Sequence, residues 1–137
     1  MDRKTARARA MKLIYEWEMG GDGGEDTRLG LLEVIPGEGE SDFMNLLAEG
    51  VQQNAEALDA QIAPFLRSWT LDRLTRVDLA ILRLAAFELT HTDTSEGIVI
   101  NEAVELANQY STDKAGAFVN GVLGSLARSL KEREDRP

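Results

Sequence analysis

The chain contains no cysteine, a single histidine and three prolines among its 137 residues. Without cysteine there is no disulfide framework, no thiolate nucleophile and no cysteine-ligated metal. No stretch approaches the roughly 18 uncharged apolar residues that span a bilayer, and the amino-terminal MDRKTARARAMK lacks the apolar run of a secretory signal. We therefore expect a soluble, cytoplasmic protein that does not enter a membrane.

The chain does contain enough apolar residues for one core. Hydrophobic residues make up 43% and charged residues 28%, a composition typical of a folded domain rather than of a disordered chain. A chain of this length buries a continuous core, whereas two domains of half the length would each be small for independent stability. The sequence therefore predicts a single domain over 1–137.

The charge of the chain is negative but unevenly distributed. The formal net charge is −9, which ordinarily argues against binding to nucleic acid. Residues 1–12 nevertheless carry +4, whereas residues 13–66 carry −11 and residues 67–137 carry −2. This segregation indicates a basic arm, residues 1–12, attached to an acidic body.

Helical periodicity dominates the sequence pattern. Apolar residues near the amino end recur at spacings of three and four and define one stripe: Ala6, Ala10, Leu13, Ile14 and Trp17. The segment 76–90 is apolar on nearly every side, which predicts a helix in the middle of the fold. No convincing alternation of period two occurs. We predict an all-α domain of six or seven helices.

Capping and breaking residues predict where these helices begin and end. We expect a short helix over 26–35, followed by a longer helix that Ser41 caps and that Pro64 kinks or stops. Thr75 resembles the cap of the central helix. The last helix is expected to begin near Thr112.

Catalytic groups are scarce. His91, the only histidine, has no second imidazole or thiol with which to bind zinc, so we interpret it as a residue at a helix end. The segment from Asp22 to Glu33 mimics a calcium loop, but Gly24 stands at a ligand position and Thr27 at the sharp turn. The glycines there do not continue into a phosphate-binding loop. We expect no enzymatic activity, no cofactor and no metal.

Two residues stand out inside apolar helices. Arg83 interrupts the central helix. It is expected either to pair with an internal carboxylate, for which the candidates are Glu88, Glu102 and Glu105, or to lie at the edge of the core. Gly121 costs about 1 kcal/mol of helix propensity relative to alanine, which predicts that another helix approaches it closely.

The basic arm is the remaining candidate for function. It contains five cations interleaved with alanine: Arg3, Lys4, Arg7, Arg9 and Lys12. This composition is typical of arginine-rich RNA-binding segments. On a helix, Tyr15 lies opposite the apolar stripe, where its ring can stack on an unpaired base. The alternative is a basic terminus that is merely solvated.

Four sequence blocks follow one another along the chain. They are RKTARARAMKLIYEWE at the amino end, WTLDRLTRVDLAILRLAAFEL from Trp69 to Leu89, INEAVELA from Ile100 to Ala107, and FVNGVL from Phe118 to Leu123. In this order they resemble the NusB family of transcription antitermination factors over nearly the full length. The acidic, glycine-rich stretch 20–40 matches little of the family pattern, and we interpret it as a variable connection.

The resemblance implies two packed helical subdomains that bind boxA-type single-stranded RNA. In the family, the small-subunit ribosomal protein that doubles as NusE binds this RNA together with the NusB-like protein. With other Nus factors, the pair keeps RNA polymerase resistant to termination on nascent ribosomal RNA. No catalysis and no cofactor are implied.

The resemblance and the charge pattern together give a set of predicted site residues. The residues predicted to bind RNA are Arg3, Lys4, Arg7, Arg9, Lys12, Tyr15 and, in the loop before the last helix, Lys114. The positions predicted to face the NusE-like partner are Asp72 and Asp78. Their acidity suits a basic ribosomal protein, although helix capping explains Asp78 equally well.

Two alternatives remain at this stage. NusB-like domains also precede the catalytic part of certain ribosomal RNA methyltransferases, but nothing here resembles a site for S-adenosylmethionine, which favours a stand-alone factor. The second alternative is a protein-only scaffold or homodimer, in which the basic arm is incidental.

Overall fold

The computed structural model describes residues 2–20, 39–67 and 70–134. Within these ranges it contains five α-helices: α1 (Arg3–Glu18), α2 (Gly39–Ile62), α3 (Arg76–His91), α4 (Glu96–Tyr110) and α5 (Ala115–Glu134). Two 3-10 helices, Ala63–Phe65 and Leu71–Arg73, lie between α2 and α3. No strand occurs in the described ranges, and the predicted all-α architecture is confirmed. The short helix predicted over 26–35 lies outside the described residues.

Helix α3 lies at the centre of the packing. It contacts each of the other four α-helices, while α1 packs on α2 and α4 packs on α5. Ten of its 16 residues are buried, including Leu79, Ile81 and Leu82 at 1% exposure or less. Burial of each such side chain contributes about 1.5–3 kcal/mol to stability. The central position predicted from the apolar pattern is confirmed, and α3 joins two helical pairs.

The helix ends agree in part with the predicted caps. The Thr75 hydroxyl accepts a hydrogen bond from the Asp78 backbone N–H at 3.1 Å, as a helix cap should. Pro64 lies in the 3-10 helix that follows α2, so the helix stops there as predicted. The prediction that Ser41 caps α2 is wrong, because the helix already begins at Gly39. Helix α5 begins at Ala115, three residues after the predicted start.

Arg83 sits at the centre of a charge network that joins three helices. Its Nε and Nη2 donate to the two carboxylate oxygens of Asp59 in α2, at 2.8 and 2.7 Å. Its Nη1 donates to Glu18 of α1 at 2.8 Å. The other Glu18 oxygen accepts from Arg76 Nη1 at 2.7 Å. These planar, two-pronged contacts hold α1, α2 and α3 together.

The partners predicted for Arg83 are therefore wrong. Glu88 follows Arg83 by five residues, a rotation of about 140° around the helix, so it faces a different neighbour. Glu88 pairs with Arg7 instead. Glu102 and Glu105 pair with a lysine of α1.

Close helix packing is found at glycines other than the predicted one. A methyl group on Gly50 in α2 would overlap the ring of Phe87, and one on Gly116 in α5 would overlap the side chain of Asn108. Gly121 has open space around it in the described part of the chain. The prediction that another helix approaches Gly121 closely is wrong. In α5 the close contact between helices occurs at Gly116, about one and a half turns before Gly121.

Gly50→Ala should lower the free energy of unfolding by about 1–3 kcal/mol, because the added methyl group forces the packed Phe87 ring to move. Gly121→Ala is the matched control. It should raise the free energy of unfolding by up to about 1 kcal/mol, because alanine is the better helix former and nothing obstructs it. Urea denaturation followed by circular dichroism measures both, and an equal change in the two variants contradicts the assigned contact.

Glu18→Gln should lower the free energy of unfolding by about 1–3 kcal/mol at neutral pH. Burial acts to raise the pKa of Glu18, but hydrogen bonds from Arg83 and Arg76 outweigh it and leave the pKa below its ordinary value. A carboxyl with a lowered pKa stabilises the fold above its unfolded pKa, and that stabilisation is lost as the pH falls through the folded pKa.

The difference in free energy of unfolding between the Glu18→Gln variant and the unaltered protein should therefore shrink below a pH of about 4.3. Urea titrations at neutral and acidic pH measure it. Glu132→Gln, at an exposed site of α5, should change stability little at either pH. A loss from Glu18→Gln that is independent of pH contradicts the role given to its charge.

Candidate nucleic-acid interface

The basic segment is the first half of helix α1 and not a separate arm. Asp2 caps the helix by accepting a hydrogen bond from the Thr5 backbone N–H at 2.7 Å, and this bond lowers the pKa of Asp2. The predicted apolar stripe is buried, with Ala6, Ala10 and Leu13 fully enclosed. The cations are therefore displayed on a helix whose rotation is fixed by its packing.

Arg7 points into the protein rather than into solvent. It is 6% exposed, and its Nε donates to both carboxylate oxygens of Glu88 at 2.9 and 3.1 Å. Burial raises the pKa of Glu88, and the neighbouring Arg7 acts in the opposite direction. The Phe43 ring lies 5.4 Å from the Arg7 guanidinium. In this position Arg7 anchors α1 on α3, and an RNA contact by Arg7 stays a prediction.

Lys4 is exposed but paired. Its side chain is 62% exposed, and its Nζ lies 3.2 Å from a carboxylate oxygen of Glu102 and close to one of Glu105. The hydrogen bond to Glu105 raises the pKa of Lys4 most, and the hydrogen bond to Glu102 raises it further. Both acids belong to α4, so this lysine bridges two helices at the surface.

Arg3 and Lys12 lie over aromatic rings. The Arg3 guanidinium is 4.3 Å from the centre of the Phe43 ring, and Lys12 Nζ is 5.0 Å from that of Tyr110. Both distances are within the range of cation–π attraction. An aromatic ring leaves the hydrogen-bond donors of a cation available, which a carboxylate does not. Lys12 can therefore contact a phosphate without giving up its contact with Tyr110.

The two lysine contacts show how α1 runs along α4. Eight residues separate Lys4 from Lys12, and eight separate Glu102 from Tyr110. Side-chain contacts made further along α1 therefore fall further along α4. Tyr110 is the last residue of α4, and Lys12 contacts its ring. Lys12 therefore lies beside the start of the loop that carries Lys114.

Arg9 and Tyr15 complete the α1 surface. Arg9 is half-buried, and its Nη1 is a buried donor without a hydrogen-bond partner in the described ranges. A buried donor of this kind costs stability unless a ligand satisfies it. Tyr15 is 36% exposed, in accord with the outward orientation predicted for it.

The loop before α5 borders a hollow of about 360 Å³. Arg73, Thr75 and Lys114 contribute polar groups to this hollow, and Phe118 contributes an apolar wall. Asp78 also lines it. The structure thus brings Lys114, predicted to bind RNA, and Asp78, predicted to face a protein, to the same hollow.

The two predicted partner-facing aspartates differ in accessibility. Asp78 is 8% exposed, and its Oδ1 accepts a hydrogen bond from the Ser111 hydroxyl at 2.7 Å. This bond ties the start of α3 to the loop after α4. Asp72 is exposed in the second 3-10 helix, where the Thr70 hydroxyl donates to it and lowers its pKa. Asp72 is therefore the more accessible acid for a basic partner.

Several partners of the cations were not predicted. Phe43, Glu88 and Tyr110 each contact a basic residue of α1 from another helix. Glu88 alone gave a local signal, because a carboxylate on a helix that is apolar on nearly every side requires a cation from elsewhere. The contacts of Phe43 and Tyr110 depend on how α2 and α4 pack, which no local pattern specifies.

Neither a metal site nor a membrane helix is found in the parts of the chain that the structure covers. No group of three histidine, aspartate or glutamate side chains is placed to bind an ion there. None of the helices there combines the length and apolarity needed to cross a bilayer. His91 is exposed at the end of α3 and stacks on Phe87, with 4.5 Å between the ring centres.

Comparisons with known proteins agree with this architecture. The transcription antitermination protein NusB of Staphylococcus haemolyticus strain JCSC1435 is 41% identical over 132 residues, which cover 92% of this chain and 99% of that protein. A chain in the crystal structure of a plectonemic RNA supercoil is 31% identical, with a TM-score of 0.85 over 94% of this chain and 96% of that one.

A second solved structure is that of the antitermination factors NusB and NusE in complex with double-stranded RNA. Its matching chain is 30% identical to the present one, with a TM-score of 0.81, and the match covers 93% of this chain and 96% of that one. The model of the NusB family matches residues 4–128. The chain belongs to the NusB family.

Proposed function

We propose that this protein is a transcription antitermination factor that binds boxA-type RNA together with the ribosomal protein acting as NusE. With other Nus factors, it helps RNA polymerase resist termination on ribosomal RNA transcripts. The observation that carries the proposal is the likeness, in sequence and fold, to a chain of the complex of NusB and NusE with RNA. The role is one of binding rather than catalysis, and its setting is the cytoplasm.

The surface of α1 supports an RNA contact. Lys12 is exposed above the Tyr110 ring, which leaves its ammonium donors available. Arg3 is exposed above the Phe43 ring, and Nη1 of Arg9 has no hydrogen-bond partner among the described residues. Tyr15 supplies a partly exposed ring for stacking on a base. We propose that these four residues contact RNA directly.

The remaining predicted residues have other parts in the proposal. Lys4 reaches RNA only by exchanging its carboxylate partners, and Arg7 positions α1 through Glu88. Lys114 extends the surface along the loop beside Lys12. Asp72 offers an exposed charge to the basic partner, while Asp78 holds the adjoining loop through Ser111.

The scaffold and homodimer alternatives make a different prediction for the oligomeric state. Light scattering at several protein concentrations, with and without RNA, distinguishes them from the proposed function. A dimer that RNA leaves unchanged favours the scaffold. The relative and the NusB–NusE structure named above are antitermination proteins, so they give no support to a methyltransferase module.

Lys12→Ala should weaken binding of single-stranded boxA-type RNA and make its salt dependence shallower by about one unit, because one phosphate contact is lost. Fluorescence anisotropy at two salt concentrations, with and without the ribosomal protein, measures this. Arg128→Ala removes an exposed cation of α5 and should leave the salt slope unchanged.

The same titration with duplex RNA tests the preference of the protein for single-stranded RNA. Unchanged binding by the Lys12 variant in all conditions contradicts the α1 surface.

Asp72→Asn should weaken the complex with the ribosomal protein about two- to fivefold, because an exposed acid facing a basic partner contributes about 0.5–1 kcal/mol. Asp93→Asn is the control, since Asp93 is an exposed acid just beyond the other end of α3, a helix about 24 Å long for its 16 residues. Isothermal titration calorimetry in the absence of RNA compares the two. Equal affinities of both variants and the unaltered protein contradict a partner surface at Asp72.

A further inference from the structure

The contact of Lys4 differs from a second surface ion pair of α4, between Glu96 and Lys131. At the start of that helix, Lys131 pairs with one carboxylate among the described residues, that of Glu96 at 3.0 Å. Lys4 instead lies between two carboxylates, those of Glu102 and Glu105. Around Lys4 the local charge is therefore negative, although the lysine belongs to the most basic segment of the chain.

Two of the three N–H donors of the Lys4 ammonium are taken by carboxylate oxygens, one from Glu102 and one from Glu105. A phosphate that approaches Lys4 competes with these carboxylates for the ammonium, and it is repelled by whichever of them remains nearby. Glu102 is the more enclosed acid, with an 18% exposed side chain, whereas Glu105 is 50% exposed. Glu105 is thus the partner that can move into solvent when RNA arrives.

We propose that Glu102 and Glu105 act as internal competitors of RNA for Lys4, and that they thereby limit the affinity of the α1 surface for RNA. This inference rests on the proposed function. It assigns to α4 a part in RNA binding although its acids make no favourable contact with RNA. The affinity of the α1 surface for RNA then depends on how readily an RNA phosphate replaces a carboxylate of α4 on Lys4. The number of cations alone does not determine it.

The experiment is a titration of a fluorescent single-stranded RNA containing a boxA element with four proteins: unaltered, Glu105→Gln, Lys4→Ala and the double variant. Glu105→Gln should tighten binding about two- to fivefold, the range expected for an exposed ion pair. In the Lys4→Ala background the same substitution should lose most of its effect, because the competition requires the lysine. Glu96→Gln, which removes the acid that pairs with Lys131, should leave RNA affinity unchanged.

Each result has a defined meaning. Equal tightening by Glu105→Gln with and without Lys4 overturns the inference, because Glu105 then repels RNA directly. The inference is also overturned if Glu105→Gln, Glu96→Gln and the unaltered protein bind RNA with equal affinity. The proposed function then stands. Failure of the unaltered protein to bind RNA, alone and with the ribosomal protein, overturns the proposed function and the inference together. Thermal unfolding of each variant checks that the exposed substitutions leave the fold intact.

Discussion

The ion pair between Arg7 and Glu88 constrains the rest of the structure. The two residues are 6% and 2% exposed, and removing two charges from water costs several kcal/mol for each ion unless they satisfy one another. The buried stripe of α1 contains Ala6, Ala10 and Leu13, and because apolar contacts are non-directional, they alone do not exclude a shift of α1 by one turn along α3. A shift of that size would leave both charges buried and unpaired, so the pair selects a single register and rotation for α1.

The orientation of the other basic residues follows from this register. With Arg7 turned inward, Lys4 reaches the carboxylates of α4 and Lys12 reaches Tyr110, the last residue of that helix. The network of Arg83 with Asp59 and Glu18 fixes the far end of α1 in the same way. One basic segment therefore serves two purposes: an interior arginine positions the helix, and its exposed neighbours form the surface.

Local sequence patterns predicted where the helices lie. The ion-pair partners of the arginines are distant in sequence and depend on how the helices pack. Periodicity placed the buried stripe of α1 and the central helix α3 because each pattern lies within one helix. The partners of Arg7 and Arg83 are 81 and up to 65 residues away in the chain, and several carboxylates satisfied the same local criteria. The choice among them depends on helix packing angles. The assignment of α1 to RNA came from its charge and from the family resemblance, which the fold alone does not provide.

The effective charge of the α1 surface is smaller than the +4 of residues 1–12. Glu88 neutralises Arg7 in the interior, and two acids outnumber Lys4 at the surface. In an otherwise acidic protein, the cations that remain attract any polyanion only weakly. Affinity must then come from contacts that a particular RNA makes in addition, such as stacking on Tyr15, and from a basic partner that covers part of the acidic body. A weakly charged surface thus favours selective binding, because nonspecific binding to RNA is almost entirely electrostatic.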